Sequence, residues 1–263
     1  MTPRIGLVFR PELPPEELRG VVTACEDAGV DELWLWEDCF LEGGLTAATA
    51  ALAWSERLRV GIGLLPVPLR NPALVAMEIA TVDRLFPGRL VTTLGHGVLD
   101  WMAQVGGRVD SPMTLLREHA TVVRDLLDGR TVAVDGRYVH LDDVALDWPP
   151  ATRPTLLVGA RGPRTVALAG EVADGVLLDS IVDADAVRRD RATLDEARAA
   201  SGREGRAQVT VYTEVEPGAD DLGDVVRRRV AGLADAGADT VVLQGTHEAP
   251  DPRALLEAIS RLS

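Results

Sequence analysis

The 263-residue chain contains no lysine, so all 27 of its basic residues are arginine. Schiff-base chemistry needs a side-chain amine that can lose its proton, and a guanidinium does not. Lysine-dependent aldolases, pyridoxal-phosphate enzymes and P-loop NTPases are therefore excluded. The two cysteines are too few for a disulfide framework, and a reducing cytoplasm is the expected compartment. No apolar run approaches the roughly 20 residues of a membrane span, and no basic region precedes an apolar stretch as in an export signal. Histidine is scarce too: His96, His119, His140 and His247 show no HxH or HExxH spacing, so no metal site is expected. There is no Gly-x-Ser-x-Gly elbow for a serine hydrolase. Acidic residues outnumber basic ones 41 to 27, and the net charge of −14 argues against nucleic-acid binding.

What the chain does contain is a regular alternation. Short runs rich in Val, Ile, Leu and Trp lie near 4–9, 31–36, 58–65, 89–94, 155–158, 173–178, 207–213 and 239–243. Such short, continuously apolar runs fit strands buried on both faces. Helical patterns lie between them. Leu18, Val21, Val22 and Cys25 share one helical face, as do Val75, Ile79, Val82 and Phe86. Leu115, Leu116, His119, Val122, Val123 and Leu126 form another, and Leu255, Leu256, Ile259 and Leu262 the last. His119 on such a face reads as a core residue.

Eight strands alternating with eight helices predict an α/β fold: one (β/α)8 TIM barrel over residues 1–263. The rival, a doubly wound open sheet, should show G-x-G-x-x-G after its first strand, where this chain reads Phe9-Arg10-Pro11. Glu26 to Asp31 echoes Ala234 to Asp239, each with a glycine placed to end a helix before a strand. Two stretches break the rhythm between the fourth and fifth strands: a long connection, 95–113, and a hairpin, 131–141, turning at Asp135-Gly136. Inserted there, they are expected to roof the mouth of the barrel.

Barrel enzymes carry their chemistry at the C-terminal ends of the strands. The second strand ends in Trp36, Glu37, Asp38 and Cys39; as neighbours on an extended chain, Glu37 and Asp38 face opposite ways, so at most one points inward. Cys39 reads as a packed thiol. The third strand is stopped by Pro66 and Pro68. The fourth gives Gly95, His96 and Gly97, where glycines permit close approach to the backbone and His96 offers a proton or hydrogen bond. The fifth gives Gly159, Ala160, Arg161, Gly162, Arg164 and Thr165, a glycine-bracketed loop opening a helix, which suits an anion. The sixth ends at Asp179 and Ser180, the eighth at Gln244 to His247.

Taken in order, Gly61 to Pro72 (GIGLLPVPLRNP), Ala76 to Leu90, Gly95-His96-Gly97, Gln104-Val105-Gly106, Gly162 to Thr165 and Ala173-Asp174-Gly175 resemble the luciferase-like monooxygenase family of TIM barrels binding FMN or the deazaflavin F420. The resemblance spans nearly the whole chain. It implies a bulge at Leu65, Pro66 and Val67, often with a non-proline cis peptide, behind the cofactor ring. It places Gly95 to Gly97 at the ring's border, Trp36 near it, and the 159–165 loop on the cofactor phosphate. Arg161, Arg164 and Arg70 would neutralise phosphate or the acidic F420 tail. F420-dependent members often carry Asp-His after the second strand, whereas this chain reads Glu37-Asp38-Cys39. The proton donor therefore stays open among His96, Glu37 and Asp38.

The function implied is F420-dependent hydride transfer with a small, largely apolar organic substrate. Two alternatives remain: a two-component FMN monooxygenase using reduced flavin and oxygen, and a non-catalytic barrel holding a flavin-like ligand. A flavin or F420 reductase and a homodimeric state are the implied partners.

Overall fold

Short, continuously apolar runs separated by amphipathic helices bury both strand faces, and here the sheet does so by closing on itself. The computed structural model describes residues 2–179 and 183–261; Ser180 and Leu262 lie outside the described residues. The strands are β1 (Arg4–Phe9), β2 (Glu32–Leu35), β3 (Arg59–Pro66), β4 (Leu90–Gly95), β5 (Val132–Asp135), β6 (His140–Val144), β7 (Thr155–Ala160), β8 (Gly175–Leu178), β9 (Gln208–Glu214) and β10 (Thr240–Gln244). All but β5 and β6 form a closed parallel barrel in the order β1-β10-β9-β8-β7-β4-β3-β2.

The helices are α1 (Leu18–Ala28), α2 (Gly44–Ala53), α3 (Pro72–Leu85), α4 (Leu99–Gln104), α5 (Pro112–Leu127), α6 (Pro163–Val172), α7 (Ala184–Ala200), α8 (Leu222–Asp235) and α9 (Arg253–Ser260). Eight of them alternate with the barrel strands, and the short α4 lies within the connection that follows β4. The apolar faces read from the sequence on α1, α3 and α5 are buried against the barrel's outer surface. His119 is among them; its Nε2 lies 3.3 Å from the Arg70 carbonyl, and burial pushes its pKa down to about 4. Gly29 (φ 70°) and Gly237 (φ 111°) both take the left-handed conformation that ends a helix.

Inside the barrel, Val8, Trp34, Val91, Leu157, Leu177, Tyr212 and Val242 pack together. Beneath them the fully buried Glu32 accepts a hydrogen bond from Trp34 Nε1 at 3.0 Å and is paired with Arg59.

The hairpin is where expectation and structure part. Asp135 pairs with His140, so the connection is Gly136 to Val139 and not a two-residue turn. The cause is Glu118 of α5, whose carboxylate accepts backbone N–H groups of Arg137, Tyr138 and Val139 at 2.8, 2.9 and 3.1 Å. Tyr138 Oη also accepts the Ser111 N–H at 2.9 Å. The hairpin follows the C-terminal end of α5 and runs back along its flank, so that its turn reaches the Ser111 N-cap of that helix. Of the two insertions, the connection carrying α4 is the one that rises directly from a strand's C-terminal end.

Candidate active site

Side chains alternate along a strand, so the residue two places beyond each interior residue points into the same lumen at the C-terminal end. From Val8, Trp34, Leu157, Leu177, Tyr212 and Val242 this rule gives Arg10, Trp36, Gly159, Asp179, Glu214 and Gln244; from Val91 it gives Thr93 and then Gly95. The mouth is thus a ring of unlike halves, glycine on β4 and β7 and polar or charged on the β1, β2, β8, β9 and β10 side.

On β3, Gly61 and Gly63 also face the lumen, because a Cβ on them would run into Trp34 and Tyr212 respectively. The β3–β4 register then shifts between Ile62 and Leu65, and the Gly63–Leu64 peptide is cis. The bulge was expected at Leu65 to Val67 and falls just before it. Its effect is to aim Leu64 into the glycine half: a Cβ on Gly95 or Gly159 would lie 2.5 or 2.6 Å from Leu64 Cδ2. A Cβ on Gly97 would lie 2.9 Å from Pro66 Cβ. The strand-end glycines thus make room for Leu64 and Pro66, which form an apolar shelf, while Leu65 and Val67 are buried beside it.

The loop from β7 runs along the edge of this shelf. Gly162 is the N-cap of α6 and no side chain caps that helix; with Pro163 lacking an N–H and the Thr165 N–H bonded to the Gly162 carbonyl at 3.0 Å, the Arg164 N–H is left for an anion. Arg161 is paired with Asp179, Thr165 Oγ1 approaches Met113 Sδ at 3.5 Å, and the exposed Arg164 has no ion pair among the described residues. Ala160 is buried in the wall.

The sequence left Glu37 and Asp38 as alternatives, and the structure separates them. Glu37 is buried, gripped by both terminal nitrogens of Arg70, and accepts the Gly44 N–H at 2.8 Å. Three hydrogen bonds hold the carboxylate, and Arg70 is engaged with it. Asp38 is half-buried; burial, reinforced by Glu12, raises its pKa against the opposing pull of Arg10 and Arg161. His96 is held below the ordinary imidazole value by burial, opposed by the Pro112 carbonyl, and its Nδ1 is buried without a partner.

Arg10 and Tyr212 were not anticipated, though the period of two that marks the strands also points to them. Arg10 donates to both oxygens of Glu12 (3.1 and 2.7 Å) and to the Gly245 carbonyl (2.9 Å). Its guanidinium lies 5.0 Å from the Trp36 ring centroid. Burial alone would raise Glu12, yet hydrogen bonds from Arg10 and His247 hold it down to about 2. Trp36 stacks on Tyr212 with centroids 6.0 Å apart. Beside the mouth, a cleft of about 390 Å³ opens between the 37–43 loop and Leu69–Arg70. A larger one, about 640 Å³, lies at the opposite end, where Leu90 and Thr155 begin their strands. Among the described residues no group of His, Cys, Asp or Glu could hold a metal ion, and no helix is long and apolar enough to cross a membrane.

A closed parallel barrel with an apolar shelf on one half of its mouth and titratable groups on the other is the form of an enzyme that seats a flat cofactor beside a small substrate. The chain belongs to the luciferase-like monooxygenase family, whose model matches residues 4–260. It is 27% identical over 243 residues to 5,10-methylenetetrahydromethanopterin reductase of Archaeoglobus fulgidus, covering 92% of this chain and 73% of that one. It is 28% identical over 188 residues to F420-dependent glucose-6-phosphate dehydrogenase of Nakamurella multipartita, covering 63% and 52%. Among solved structures, an F420-dependent secondary alcohol dehydrogenase in complex with an F420-acetone adduct superposes with a TM-score of 0.88 at 17% identity, over 100% of this chain and 98% of that one.

Proposed function

We propose that this protein is an oxidoreductase that binds F420 and transfers hydride between it and a small organic substrate. The observation that carries this reading is the shelf: Leu64 and Pro66 occupy the places that side chains on Gly95, Gly159 and Gly97 would need, and together they offer a ring an apolar bed. The residues present suit the cofactor's chemistry, with an apolar bed for a ring and an uncapped α6 N-terminus with Arg164 for phosphate. The relatives named as F420-dependent support the choice of cofactor.

When bound, the deazaflavin supplies the hydride donor or acceptor. The chain's own groups do the rest. The shelf orients the ring, Trp36 bounds the reacting side, and α4 with its connection shields the edge at His96. Asp38, half-buried with a raised pKa, gives or takes the proton at the substrate heteroatom, while His96, kept neutral, offers a hydrogen bond. Glu37 and Arg70 hold the loop after β2 and do not exchange protons. A cytoplasmic enzyme fits two free cysteines, Cys25 and Cys39, and an F420 reductase would return the cofactor. The exposed Leu74, Met77 and Leu85 of α3 are consistent with a homodimer, which light scattering checks.

The test is titration with F420 and, separately, oxidised and reduced FMN, following tryptophan fluorescence. Tight F420 binding is expected, and with substrate Asp38→Asn should lower kcat about 100-fold with the F420 Kd unchanged. A preference for reduced FMN with oxygen uptake moves the reading to the two-component monooxygenase. Binding without turnover of any acceptor leaves a ligand-binding barrel.

A further inference from the structure

The polar half of the mouth has a specific composition. Gln244, at the end of β10 and in line with Val242, is 2% exposed, yet its Oε1 has no hydrogen-bond partner. Trp36 Nε1 and Tyr212 Oη, in the same quadrant, are buried and have only each other among the described residues. Buried polar groups are ordinarily satisfied, so an unpartnered one at the end of a barrel marks the place of a ligand's polar group.

The charges narrow what that ligand is. Glu12, Asp38, Asp179 and Glu214 face this half, against Arg10 and Arg161. Both guanidiniums are already committed, Arg10 to Glu12 and Arg161 to Asp179. His247 is bound to Glu12 at 2.9 Å. A phosphate or carboxylate here would meet surplus negative charge and no uncommitted cation among the described residues. For a cationic substrate the Trp36 face is already taken by Arg10, which leaves it no cation–π seat there.

We infer that the substrate is an uncharged, hydroxyl-bearing molecule whose O–H is accepted by Gln244, and that this half of the mouth excludes anionic substrates such as phosphorylated sugars. The inference rests on the F420 reading above. Gln244 is a positioning residue. In the oxidative direction the carbinol C–H bond breaks and its electron pair leaves as hydride to oxidised F420. As this happens the hydroxyl turns its O–H from Gln244 to the Asp38 carboxylate, which takes the proton, and a C=O remains.

The experiment begins with F420 titration of the wild type, Gln244→Leu and Gln244→Arg, with thermal melts to confirm folding. F420-loaded protein is then offered 2-propanol, cyclohexanol and glucose, the anions 3-hydroxybutyrate and glucose 6-phosphate, and the cation 1-amino-2-propanol. Binding is read from the absorbance of bound F420 and turnover from its bleaching. At least one neutral alcohol is expected to be turned over, with the anions at least about 100-fold weaker. Gln244→Leu should raise KM for that alcohol about tenfold with kcat and the F420 Kd little changed. Gln244→Arg, by adding an uncommitted cation, should admit an anion.

F420 bound equally by all three proteins, but with anions or the amine used as well as neutral alcohols, overturns the inference alone. So does an unchanged KM in Gln244→Leu, or F420 binding with no response to any probe. No F420 binding by the wild type overturns both the inference and the reading beneath it.

Discussion

Among the described residues, neither carboxylate oxygen of Glu42 has a hydrogen-bond partner although both are buried, and burial pushes its pKa up to about 7. Between its ordinary value of 4.5 and 7 the folded state holds a proton that the unfolded state releases. Stability therefore falls as pH rises through that window. Glu42→Gln keeps the shape without the charge. Discounted for partial exposure, the variant should be more stable than wild type by about 1–2 kcal/mol at pH 8, with no gain at pH 4.5. Melts at the two pH values check this, and an equal gain at both would show that the charge is not the cause. Glu37, a few residues away, shows the alternative solution, burial with Arg70 and the Gly44 N–H as partners. The acidic pair was legible in the sequence. Which member was free was not, because the deciding arginine lies 33 residues further on and is brought back by the end of β3.

At the scale of elements, the bulge in β3 makes the shelf. Adding a Cβ at Gly159 would press on the far end of Leu64, which can swing aside, so Gly159→Ala should fold but displace Leu64 into the cofactor's place. The F420 Kd is expected to rise about tenfold, equivalent to about 1.4 kcal/mol, and Leu64→Ala in the same protein should recover part of it. Fluorescence titration of Gly159→Ala, Leu64→Ala and the double variant measures this, and additive losses would mean the two residues do not share the shelf. Gly175→Ala is the contrasting case: its Cβ would strike the backbone of Gln208, which cannot step away, so loss of folded protein is expected. The prolines drew attention to the end of β3, where they do stop the strand. The register shift begins earlier because Trp34 and Tyr212 leave no room beside Gly61 and Gly63, a clash between strands that no local pattern reveals. The hairpin tells the same lesson: Asp135-Gly136 announced a turn, but Glu118 decided its length and its place on α5.

Across the whole molecule, the alternation of eight apolar runs with amphipathic helices was sufficient to read a barrel, and the same alternation, carried two residues further, names most of its mouth. Closure places β1 beside β10, bringing Arg10 to the Gly245 carbonyl and Glu12 to His247 across more than 230 positions in sequence. Charge is the other whole-molecule property. At −14 the chain repels an anionic cofactor at a distance, while Arg164 and the α6 N-terminus attract it only on contact. Screening acts on these two differently. The Debye length shortens from about 30 Å at 0.01 M salt to about 8 Å at 0.15 M, which removes the long-range repulsion and weakens the contact pairs less. The association rate for F420 should therefore rise several-fold over that range, and the dissociation rate should rise more modestly. Because the two changes oppose one another in Kd, equilibrium titration would show little, and stopped-flow fluorescence is the measurement that separates them. An association rate that falls with salt would mean that the arginines beside α6 govern the approach, and that the acidic surface lies too far from the mouth to be felt there.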